Sequence, residues 1–129
     1  MNFQFFTPLE LFVIVHFIGD FVLQNSWMAA NKNKSLFALG VHSFVYALVF
    51  IPLLIYYHFT YPVISFFILF VSHFIIDKDN LFISFLENLK RIKKENYSEV
   101  MWRIILLVND QLLHLLVIVL LLLFNIKQN

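Results

Sequence analysis

Three aspartates each stand four residues from a histidine: His16 with Asp20, His73 with Asp77, and Asp110 with His114. Residues at i and i+4 share one helix face, so each pair aims an imidazole and a carboxylate in the same direction. A fourth histidine, His42, lies in another apolar run. His and Asp side chains suit zinc first, with iron or manganese as alternatives, and the absence of cysteine rules out thiolate sites, catalytic thiols and disulfides. The metal-ligand candidates are therefore His16, Asp20, His42, His73, Asp77, Asp110 and His114. One ion would take about three or four of them, and a two-metal site could use all seven. The catalytic candidates are Asp20, Asp77 and Asp110, any of which, left free of the metal, could activate bound water as a general base.

The elements that must carry these groups are set by composition. The chain has 129 residues, enough for a single domain, with 61% hydrophobic and 13% charged residues. A water-soluble fold could not hide so much apolar surface. The net charge of +1 is too small to recommend nucleic acid as a partner. Four apolar stretches near 8–28, 36–57, 61–78 and 100–124 approach the roughly 20 residues that a bilayer core requires of a helix. The expected fold is an all-α integral membrane four-helix bundle. The first stretch has no Lys or Arg before it and contains His16 and Asp20, so it reads as a retained span and not as a cleaved signal peptide.

Positive charge sets the expected direction, because Lys and Arg in short loops stay cytoplasmic. Lys32 and Lys34 follow span one, and Lys78, Lys90, Arg91, Lys93, Lys94 and Arg103 surround the connection between spans three and four. The turn between spans two and three has neither residue type, which places both termini outside the cytoplasm. Trp27 and Trp102 mark the expected inner boundaries, and Tyr56, Tyr57 and Tyr61 the outer one. Within residues 80–95, Leu81, Phe82, Phe85, Leu86 and Leu89 repeat at helical spacing opposite Glu87, Lys90, Arg91 and Lys94. That pattern fits an amphipathic helix on the membrane surface or a cytoplasmic extension of span three.

At about 1.5 Å per residue, all seven candidates fall between the midplane and the cytoplasmic surface. An Asp at a helix centre costs about 2.5–3.5 kcal/mol on insertion scales, so three buried carboxylates need compensation. Lys78 and Arg103 near the inner boundary, protonated histidines or a divalent cation could supply it. Gln24 continues the face of His16 and Asp20, and Gln111 adjoins Asp110; each amide could orient ligands or substrate, or simply bridge helices. Lys32 is a substrate-binding candidate for an anionic headgroup, although the topology rule alone explains Lys32 and Lys34. His58 and Glu10 lie toward the outer side and are set aside. Asp79, two residues from Asp77, points elsewhere and with Asn80 could cap the next helix.

The stretches His16–Gln24 (HFIGDFVLQ), Met28–Lys32 (MAANK), His42, His73–Lys78 (HFIIDK) and Asp110–Leu115 (DQLLHL) resemble a bacterial integral membrane family catalogued as domain of unknown function 3307. The resemblance spans nearly the whole chain and implies a bacterial inner (cytoplasmic) membrane, but no reaction. His16–Asp20 also echoes His73–Asp77, as two related helical hairpins would.

The leading functional expectation is a membrane-embedded metal-dependent hydrolase acting on a lipid or lipid-like substrate at the cytoplasmic leaflet. The alternatives are a proton or divalent-cation transporter, which four spans could form only as a homo-oligomer, and a non-catalytic membrane partner subunit.

Overall fold

The computed structural model describes residues 5–125, without the side chains of residues 79–81. Among the described residues there are helices and no strand. The first, α1 (Pro8–Phe17), starts at a capping box: Thr7 Oγ1 accepts from the Glu10 N–H, and the Glu10 carboxylate accepts from the Thr7 N–H at 2.6 Å. It runs into a π turn, Ile18–Val22. Asn25 then caps a separate short helix, α2 (Ser26–Asn31), by accepting from the Met28 N–H at 2.9 Å. The expected first span to residue 28 is therefore broken. An Asn side chain that accepts from a backbone N–H starts a new helix there.

Ser35 caps α3 (Leu36–Leu48), which passes through a turn at Val49 and Phe50 into α4 (Ile51–Tyr56). The turn is a consequence of Pro52, which lacks an N–H and whose ring conflicts with the carbonyl four residues earlier. Next come α5 (Pro62–Ile76) and α6 (Asp79–Asn88), separated by Asp77 and by Lys78, whose backbone is extended. A 3₁₀ turn (Lys94–Asn96) precedes α7 (Glu99–Asn125).

Two of these helical runs are long and apolar enough to cross a membrane, Leu36–Tyr56 with 21 residues and α7 with 27. At 15 residues α5 falls short of that length. Along α7, Val100, Ile104, Leu107, Leu112, Leu116 and Leu123 are all exposed, which is an apolar flank with no protein against it.

The packing partners are α3 with α5, α5 with α7, α7 with α1, and the π turn with α3. Phe12, Tyr46, Phe50, Leu54, Leu69 and Ile118 meet in one buried cluster. A second cluster joins Phe82 and Leu86 of α6 to Trp102 of α7. Three expectations change here. The helix expected over residues 80–95 ends at Asn88 and is not a straight extension of α5. Part of its apolar face is also packed on protein, where Trp102 is buried against it and not open to the surroundings. The faces assigned to Leu81 and the capping assigned to Asp79 and Asn80 fall outside the described side chains.

Candidate metal centre

Three helical segments converge on one buried group of four donors. The π turn supplies Asp20, α3 supplies His42, and α5 supplies His73 and, at its C-cap, Asp77. All four side chains are buried. The Nε2 atoms of His42 and His73 lie 3.0 Å apart. Asp20 Oδ1 is 3.4 Å from His42 Nε2 and 3.7 Å from His73 Nε2. Asp77 Oδ2 is 3.3 Å and 3.5 Å from the same two atoms. An ion bound tetrahedrally at about 2.0–2.1 Å holds its donors about 3.3–3.4 Å from one another. The five separations straddle that value, and all four donor atoms lie within 4.8 Å of one another, so two imidazoles and two carboxylates are spaced closely enough to hold one ion.

A second donor group shares Asp20 and adds Asp110 and His114, with one donor atom from each residue lying within 4.8 Å of the others. The His114 ring is instructive. Its Nδ1 is 2.9 Å from the Asp110 carbonyl oxygen, which can only accept, so Nδ1 carries a proton. In the neutral ring Nε2 then bears a lone pair, and it is buried with no hydrogen-bond partner. Asp77 Oδ1 lies 3.4 Å away. A lone pair facing a carboxylate in a dry site is unfavourable unless a cation or a proton stands between them. Asp77 thus turns Oδ2 toward the first donor group and Oδ1 toward His114.

Around the donors runs a directed hydrogen-bond chain. The Gln111 amide nitrogen donates to Asp20 Oδ2 and Asp110 Oδ2, both at 3.0 Å. Its Oε1 accepts from His16 Nε2 at 2.8 Å, which leaves His16 Nδ1 to accept from the Tyr46 hydroxyl at 2.9 Å. Tyr46 also stacks on the His73 ring, with centroids 3.7 Å apart and planes 13° from parallel. One chain of contacts therefore orients two carboxylates and one imidazole. The Nδ1 atoms of His42 and His73 have no such partner.

His16, expected among the ligands, is placed outside both donor groups, because Tyr46 and Gln111 occupy its two nitrogens. Gln111 bonds both His16 and Asp20, and Asp20, carried by the π turn, also reaches His42 and His73. Gly19, inside the same turn, permits the approach to α3: a Cβ there would lie 3.0 Å from both Tyr46 Cδ2 and Val49 Cγ2.

Gln111 sits at the centre of the network, whereas Gln24 keeps a buried Oε1 without a hydrogen-bond partner. Lys32, at the C-cap of α2, extends to Asp77 Oδ2 at 2.9 Å. The cation on the carboxylates is therefore Lys32, and not Lys78 or Arg103. Burial alone would lower the Lys32 pKa, but Asp77 outweighs it and holds the ammonium above the ordinary lysine value. Tyr46 was missed from sequence. Its available signal is position: it stands four residues after His42, on the same face of α3.

A family model described as a protein of unknown function (DUF3307) matches residues 9–129. Neither a curated protein nor a solved structure matches the chain.

Proposed function

The chain therefore belongs to the DUF3307 family, and from the donor cluster it carries we propose that it is a membrane-embedded metal-dependent hydrolase acting on a lipid or lipid-like substrate. The observation that supports this best is the close spacing of four buried donors, Asp20, His42, His73 and Asp77. Three aspartates in an apolar setting are costly, and a lysine bound to only one of them leaves most of that cost unmet.

A divalent ion, zinc by its donor set, would supply a nucleophilic water at neutral pH. The chain's own groups divide the remaining work. Asp20, His42, His73 and Asp77 hold the first position, while His114 with Asp110 and the shared Asp20 forms the second. Gln111 fixes the carboxylates of Asp20 and Asp110, and His16 and Tyr46 fix Gln111. Asp110 is the least buried of the three aspartates and lies outside the first donor group, so with only the first position filled it is the carboxylate left free to take a proton from an attacking water.

The reading includes four crossing segments, with α1 and α5 completing the span set begun by Leu36–Tyr56 and α7. It also places the donors in the cytoplasmic leaflet of a bacterial inner membrane and both termini outside the cytoplasm, because Lys and Arg gather near the donor-bearing ends. Elemental analysis of protein purified without chelators tests it. Bound zinc, iron or manganese is expected, falling in His42→Ala and His73→Ala. A metal-free native protein, or unchanged content in those variants, would sink the proposal. A lipid comparison of cells with and without the protein should then reveal an accumulating substrate.

A further inference from the structure

A cavity of about 380 Å³ opens against one side of the donor cluster, lined from the turn after α2, the end of α5, α6 and α7. Asp77 and Asp110 form part of its wall, so whatever fills it touches carboxylates of both donor groups. Lys32 and Arg103 line the same space. Phe82, Ile83, Leu106 and Leu107 supply much of the rest, and that mixture of apolar wall and few charged groups is typical of a small-molecule site.

The two cations differ in availability. Lys32 is already engaged with Asp77 at 2.9 Å. Arg103 is paired with Glu99 at 3.7 Å, but its side chain is 78% exposed, a pairing of little worth that an incoming anion could replace. A guanidinium can receive two oxygens of one phosphate at once. The cavity is not sealed toward lipid either: Leu107 lines it and is 52% exposed, continuous with the bare apolar flank of α7. Two donor groups that share the Asp20 carboxylate also suit a phosphoester, whose attacking and leaving oxygens both need charge stabilisation.

We propose that this cavity binds the headgroup of a phosphate-bearing lipid, with Arg103 receiving the phosphate beside the Lys32–Asp77 pair and Phe82, Ile83, Leu106 and Leu107 lying along the first carbons of its chains. Binding stands on the cavity itself; turnover of that lipid rests on the hydrolase reading.

The test uses the full chain, titrated separately with dioleoyl phosphatidic acid, dioleoyl phosphatidylglycerol, dioleoylglycerol and inorganic phosphate. Adducts are followed by native mass spectrometry and metal content is measured on the same samples. Both phosphate lipids should bind at least tenfold more tightly than dioleoylglycerol and than inorganic phosphate. Arg103→Gln should weaken the phosphate lipids about tenfold with metal content unchanged, whereas Lys93→Gln, an exposed charge away from this cavity, should leave them as they are. Equal binding by Arg103→Gln, or an equal loss in Lys93→Gln, would overturn the site. Inorganic phosphate binding as tightly as the lipids would overturn the lipid assignment. Loss of metal with lipid binding intact would defeat the hydrolase reading and leave this site standing.

Discussion

Gly19→Ala and Gly40→Ala add the same methyl group to two helical segments of one chain, and the surroundings give them opposite expected signs. Alanine is favoured over glycine in a helix by about 1 kcal/mol. At Gly40 the added Cβ would meet Phe74 Cε2 at 3.9 Å, an ordinary contact, so Gly40→Ala should stabilise by up to about 1 kcal/mol. At Gly19 it would lie 3.0 Å from Tyr46 Cδ2 and from Val49 Cγ2, with Tyr46 Cα at 3.4 Å. Neither neighbour yields easily. Val49 is β-branched and stiff at χ1, and the Tyr46 ring is held by its hydrogen bond to His16 and its stacking on His73. Overpacking of this kind costs about 1–3 kcal/mol, which outweighs the helical gain and leaves Gly19→Ala less stable by up to about 2 kcal/mol. Because Tyr46 must move, His16 and Gln111 move with it, and metal affinity should fall about tenfold or more. Unfolding of the two variants in one detergent, read beside their metal content, gives the comparison. Gly19→Ala as stable as the native chain with undiminished metal would refute the account of the close approach between the π turn and α3.

Other perturbations probe separate contacts. Gln111→Leu removes the amide from two carboxylates and strands the buried His16 Nε2 donor; stability should drop by about 2–4 kcal/mol and metal affinity by about 10–100-fold, both read by titration of the refolded or detergent-purified protein. Lys32→Met deprives Asp77 of its only lysine partner among the described residues, so unfolding should be easier by about 1–3 kcal/mol after chelation, with a smaller difference once zinc is restored; equal losses with and without metal would place the balancing charge elsewhere. His114→Ala should remove one ion and spare the other if two are bound, so elemental analysis should show a fractional loss, whereas His42→Ala should affect the first position directly. A reporter fused to the C-terminus should be active outside the cytoplasm, and cytoplasmic activity would reverse the orientation.

Much of the centre was legible from residue type alone. An aspartate inside an apolar run is expensive wherever it stands, so Asp20, Asp77 and Asp110 had to find partners, and their i,i+4 histidines with His42 were the available ones. The helical class followed just as directly from 61% hydrophobic residues in long runs. The places where helices stop are also written locally, at Asn25 and Pro52, although runs of apolar residues on both sides obscured them.

Which of these groups face one another could be decided only in three dimensions. Helical periodicity assigns a residue to a face but not what that face meets: His16 finds Tyr46, Asp20 finds His42 and His73, and Gln111 bonds both. Lys32 finds Asp77, and Gln111 finds His16, across long stretches of chain that no local pattern relates. Composition and spacing decide what must be buried and what must be neutralised, because those costs belong to each side chain separately. Partner choice depends on helix rotation, close approach at Gly19 and rotamer, which are properties of the packed helices together.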